Sequence, residues 1–178
     1  MKQSAYAWSR AYAKQARADL MAREALLWTD CPPCQHLHFL QMACEKLAKA
    51  HRCLGGSEPS SLMGGHGVAA RVLPQIAKEM LRRAAFRSDL ETAPSALVSM
   101  VRQLAREIDL LAPSVDDDGR RPDNCEYPWE SADGSLHVPA EHNFGSLERL
   151  HQHRAGATFL KLVTVATAEL ADGAYETL

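Results

Sequence analysis

Two long stretches of this chain, Ser4–Leu27 and Gln35–Leu54, contain neither glycine nor proline. Both are rich in alanine, leucine, lysine and arginine, residues that lose little freedom on entering a helix. In the first, Trp8, Tyr12, Ala16 and Leu20 recur at four-residue steps and predict one apolar stripe, with Arg10, Lys14 and Arg17 on another face. "TDCPPC" separates the two stretches, because proline cannot continue a helix and biases the residue before it away from helical geometry. The second stretch should bury Leu37, Leu40, Cys44, Leu47 and Leu54 and stop at Gly55-Gly56.

The remainder follows the same pattern. After a loop at "SEPSSLMGGHG", a shorter helix is predicted over His66–Arg83, with Pro74 either kinking it or opening a new first turn. A fourth should start near Pro94 and end before Pro113, burying Leu97, Val101, Leu104, Ile108 and Leu111. Residues 113–143 show no sustained period and predict a long loop, of the kind that is usually functional or disordered. The final helix is expected over Ser146–Ala171, and its nearly unbroken apolar run from Phe159 to Ala168 places it at the bundle centre. Neither a strand, a repeat nor a second domain is predicted. The expected fold is a single all-α domain over 1–178: an up-and-down bundle of about five helices with an irregular loop at 113–145.

Charge narrows the function. A formal net charge of −2 over 178 residues argues against a protein built mainly to grip a nucleic acid backbone. Between Pro113 and Gly145 stand eight acids (Asp116, Asp117, Asp118, Asp123, Glu126, Glu130, Asp133, Glu141) and two bases (Arg120, Arg121), a formal −6 that leaves +4 for the rest of the chain. An odd number of cysteines, five, and a polar, aromatic start without an apolar core predict a reduced, cytoplasmic setting. No apolar run approaches a membrane span.

Several clusters invite chemistry. Gln41, Glu45 and Lys49 form one ridge at i, i+4, i+8. On a solvated face the Glu45–Lys49 pair is worth about 0.3–0.5 kcal/mol. The other reading turns Glu45 and Lys46 to the interior or a dimer seam, where each charge must be paired. In "NCEYPWE", Tyr127 precedes Pro128 and should be extended, and Tyr127 and Trp129 are expected on opposite sides of the loop. They either anchor the loop on the bundle or offer a platform for a base, although Asp123, Glu126 and Glu130 would repel phosphate unless a Mg²⁺ were shared. "CPPCQHLH" supplies Cys31, Cys34, His36 and His38, but Cys44 and Cys53 continue along the same helix and cannot turn back to complete a zinc site. A dithiol role for Cys31 and Cys34 would call for a sheet. His151 and His153 diverge by about 200° on a helix and are not a ligand pair. His66 is expected to cap the third helix, and the ridge of Arg10, Lys14 and Arg17 is the place for a phosphate contact.

"LQMACEKLAKAH", followed by a glycine turn and "GGHG" at the head of the next helix, resembles the HEPN (higher eukaryotes and prokaryotes nucleotide-binding) superfamily. The matching positions are Glu45, Lys46, Lys49, Ala50 and His66. The order of helices extends the resemblance over Tyr6 to Leu170, and "NCEYPWE" is similar to a bacterial branch of that superfamily. The resemblance implies a dimerising bundle and a nucleotide or RNA as ligand. It also implies a role in a defence or toxin–antitoxin-type system, with a nucleotidyltransferase-like protein as partner. Ribonuclease members carry Arg, four to six residues, then His: the imidazole moves a proton and the guanidinium holds the phosphate. No arginine here has that spacing. The nearest is Arg149 with His153, which share a face if both lie on a helix, so a divergent ribonuclease is the rival expectation and a purely structural dimerisation module the third. The candidate ligand-binding residues are Glu45, Lys46, Lys49, His66, Asn124, Glu126, Tyr127 and Trp129, with no metal or cofactor expected.

Overall fold

The structure is a computed structural model that describes residues 4–82, 93–113 and 123–173. Among the described residues it is an all-α bundle of five helices: α1 (Ala5–Leu26), α2 (Pro33–Leu54), α3 (Ala69–Arg82), α4 (Pro94–Asp109) and α5 (Arg154–Asp172). α1 and α2 pack closely along their lengths, α3 pairs with α4, and α5 lies chiefly against α1. No helix among the described residues is long and apolar enough to cross a membrane.

Local chemistry accounts for the helix ends. The Ser4 hydroxyl accepts the Ala7 N–H at 3.1 Å and caps α1. Pro33 occupies the first position of α2, where its missing N–H costs nothing. Past Gly55 the chain reverses through Gly56 at φ 86°, a conformation open to glycine. Pro74 is held inside α3 in its second turn, and that helix begins three residues later than the spacing from His66 suggests.

The centre of the bundle is α2, where the sequence pattern had pointed to the last helix. Thirteen of its residues are buried, among them Leu37, Leu40, Cys44 and Leu47, because it meets α1, α3, α4 and α5 in turn. On α1 the tight face is made by Ser9, Ala13 and Ala16, whose small side chains let the backbones approach. The expected aromatic stripe therefore shifts to the flank: Tyr12 and Leu20 are half-buried and Trp8 is 38 % exposed.

The last helix starts at Arg154, eight residues after the expected Ser146. Leu147 and Leu150 are buried, as their spacing implies, but in a 3₁₀ turn at Gly145–Leu147 and the irregular turns after it. Gly156 explains the break. A Cβ there would fall inside the van der Waals radius of the Leu150 carbonyl, so the segment before the helix lies directly on its first turn.

Of the acidic loop, Asp116, Asp117, Asp118, Arg120 and Arg121 lie outside the described residues. The part from Asp123 onward is built and contains a feature absent from the sequence reading, a two-stranded antiparallel hairpin of β1 (Trp129–Glu130) and β2 (Leu136–His137). Trp129 stands opposite His137 in its register. Trp129 is buried, stacked on His137 at 5.5 Å and edge-on to His142 at 4.8 Å, while His142 meets Phe144 at 4.8 Å. This chain of rings anchors the loop.

Candidate functional site

The ridge on α2 is not a solvated face. Gln41, Glu45 and Lys49 are all buried, and the Glu45 carboxylate collects every donor within reach. Lys49 Nζ donates to Oε1 at 2.6 Å, while Gln41 Nε2 at 3.2 Å and His66 Nδ1 at 2.8 Å meet Oε2. Burial alone would raise the Glu45 pKa, but the hydrogen bonds and charges of Lys49 and His66 outweigh it and hold the carboxyl below its ordinary value. Lys46 points elsewhere: it donates to Asp19 on α1 at 2.7 Å and ties the two helices together.

His66 does not cap α3. That role falls to Asp109, at the end of α4, which accepts the backbone N–H of Ala70 at 2.8 Å and of Ala69 at 3.3 Å. Burial raises the Asp109 pKa, backbone hydrogen bonds oppose the rise, and nearby Glu45 adds to it. Residue 66 thus sits over α2, the head of α3 begins just after it, and the end of α4 closes the group from below. The His66 side chain is 43 % exposed. With Nδ1 held against Glu45, the imidazole leaves Nε2 without a partner among the described residues at the open edge, the arrangement that orients a histidine for proton transfer or for a ligand hydrogen bond.

Two helical turns before Glu45 on the same side of α2, about 10 Å along the axis, His38 borders a second group. A cleft of about 230 Å³ is lined by Gln35, His38, Cys125, Glu126 and Tyr127. Tyr127 is 62 % exposed and Trp129 is buried, so one ring anchors the loop and the other faces solvent; the division comes from the bend at residues 125–127, because extended backbone alone would turn residues i and i+2 to the same side. Asn124 is buried and shapes the turn, its Oδ1 accepting the N–H groups of Glu126 at 2.9 Å and Tyr127 at 2.7 Å. Glu126 approaches His38 Nδ1 at 3.7 Å. Burial pushes the Cys125 thiol up to about 12, which keeps it from acting as a thiolate nucleophile at neutral pH.

The remaining candidates do not join either group. Arg149 lies in the turns before α5, and His153 is the N-cap of that helix with extended backbone at φ −97° and ψ 136°. The shared helical face that would bring the two together is therefore missing. His151 is exposed, ahead of the helix and not on it. Two of the three residues of the basic ridge of α1 are already engaged, Lys14 being exposed: Arg10 Nε donates to the Ala171 carbonyl at 3.0 Å, and Arg17 donates to the Ala168 carbonyl at 3.1 Å and pairs with Asp172 at 2.8 Å. Both arginines serve the carbonyl end of α5, where the helix dipole favours cations. Among the described residues no three His, Cys, Asp or Glu side chains are grouped to hold a metal ion, and all five cysteines are free thiols.

Sequence reasoning passed over Asp109 and Asp19, and weighed His38 only as a metal ligand beside Cys31, Cys34 and His36. Asp109 left a signal, since it falls in the apolar stripe of α4 beside Ile108 and one turn after Ala105, where an acid needs a partner.

Fold and site together define an α-helical bundle with a buried carboxylate–lysine–imidazole group near a small aromatic cleft. Comparison with models of known protein families, with curated proteins and with solved structures finds no match to this chain.

Proposed function

We propose that this is a HEPN-like helical protein that binds a nucleotide or a short RNA without cleaving it. The observation that supports the reading is the convergence of Glu45, Lys49 and His66, positions that the resemblance singles out, into one hydrogen-bonded group with His66 at its open edge. The exposed Tyr127 ring beside the His38 cleft supplies a stacking surface, and stacking contributes about 1–3 kcal/mol per base. Glu45 and Lys49 neutralise each other, so phosphate is not their target; they hold His66 in place. Dimerisation and a nucleotidyltransferase-like partner, in a defence or toxin–antitoxin-type system, belong to the same proposal, and light scattering of the purified protein reads the first of them. Calorimetry with nucleotides and short RNAs tests the central claim. Saturable binding weakened by Tyr127→Ala supports it, and silence at millimolar ligand removes it.

One observation favours a second reading, proton-transfer catalysis at His66: the 2.8 Å contact from Glu45 Oε2 fixes the ring as a carboxylate-oriented base. Incubation with labelled RNA decides between them. Cleavage lost in His66→Ala and kept in His153→Ala would establish the enzyme reading at His66; cleavage lost only in His153→Ala would move it to the turn before α5.

A further inference from the structure

Arg23 is a cation that neither group uses. It lies in the last turn of α1 with 5 % of its surface exposed, yet its Nε is buried without a hydrogen-bond partner. The carboxylate beside it, Glu24, stands 3.9 Å from Nη1 with its own side chain 63 % exposed. A guanidinium held this deep costs several kcal/mol unless something accepts its protons. A second buried polar atom repeats the pattern: His36, which feels the Arg23 charge, leaves Nδ1 without a partner. Beside Arg23 a cavity of about 310 Å³ opens, bordered by Trp28, His151, Leu160 and Thr164. Trp28 is 83 % exposed and lines the same cavity as Arg23, whose Nε is the atom left unpartnered.

We propose that this cavity is a binding site for a small phosphomonoester with a planar body. Its phosphate accepts from the Arg23 fork, whose paired donors match two phosphate oxygens. The Thr164 hydroxyl and the His151 ring border the same space and supply further donors, and Trp28 lies over the planar part. The volume is at the lower limit of ligand pockets, about 300–1,000 Å³, which admits a small molecule and excludes an oligonucleotide. The site is built from α1, the turn before α5 and α5 itself, and it stands independently of the nucleotide reading at His66 and Tyr127.

The test is a tryptophan-fluorescence titration of the full chain with phenyl phosphate, against phenol, benzoate and potassium chloride at matched ionic strength. The expected result is saturable quenching by phenyl phosphate alone, reversed by inorganic phosphate and lost in Trp28→Phe, a change at an exposed position that leaves the fold intact. Arg23→Lys keeps the charge but loses the fork, and should weaken binding about tenfold or more. His66→Ala and Tyr127→Ala should titrate like the parent protein, which separates this site from the proposed nucleotide site. No saturable quenching, equal quenching by phenol or benzoate, or a signal that survives Trp28→Phe would overturn the proposal.

Discussion

Glu45 Oε2 and His66 Nδ1 stand 2.8 Å apart although 21 positions separate the residues along the chain. The contact joins the middle of α2 to the loop that leads into α3, and Lys49 completes it from one turn further along α2 at 2.6 Å. Removing the carboxylate while keeping its shape, in Glu45→Gln, leaves Lys49 a buried cation without a counter-charge. The expected loss is about 3–5 kcal/mol, read by urea denaturation. The double change Glu45→Leu with Lys49→Met should recover most of it; if the double variant is no better than the single one, the pair is not the source of the loss.

The same pair gives stability a pH dependence of known sign. The folded-state pKa of Glu45 lies below its ordinary 4.5, so its contribution is present above that value and fades as pH falls through the folded value. The difference in unfolding free energy between the parent and Glu45→Gln should therefore narrow below about pH 4.5. Asp109 works in the opposite direction. Its folded pKa is raised from 3.8, so its share is present below that value and is lost as pH rises through the folded one. A parent-minus-variant curve that is flat in acid would show that Glu45 is not held as an ion.

At Asp109 the expected cost is that of a buried helix cap. Asp109→Ala strands the Ala69 and Ala70 amides and should destabilise by about 1–3 kcal/mol, with Asp109→Asn losing less because one acceptor remains. Hydrogen exchange reads the effect locally, as faster exchange at those two amides.

Gly156→Ala tests the start of the last helix. The added methyl meets backbone and not a movable side chain, so the turn carrying Leu150 must shift. The expected loss is about 1–3 kcal/mol in thermal unfolding, although alanine is the better helix former. A gain in stability would mean that this segment is not seated on α5.

How much of this the sequence disclosed depends on which physical signal each residue carried. α1, α2 and α4 were legible to within a few residues because their periodicity, prolines and glycines act locally. The Glu45–Lys49 spacing was legible too, but burial was not, since an acid and a lysine at i, i+4 look the same on a surface and in a core. His66 was legible as a candidate, but its attachment to Glu45 was not, because that contact depends on how the loop folds back. Leu147 and Leu150 show the converse. Their spacing reported burial correctly and conformation wrongly, because a helix and a series of tight turns can present the same apolar side chains. The hairpin at Trp129 is too short to impose alternation on the sequence.

The clasp that Arg10 and Arg17 make on α5 has a consequence for the order of folding. Their acceptors, Ala168, Ala171 and Asp172, are synthesised more than 150 residues after them. The helical pair α1–α2 therefore emerges from the ribosome before these acceptors exist and with one flank wet, and the arrival of α5 closes that flank. A nascent chain halted before residue 168 should expose this seam to chaperones, whatever stability its first two helices have gained by then.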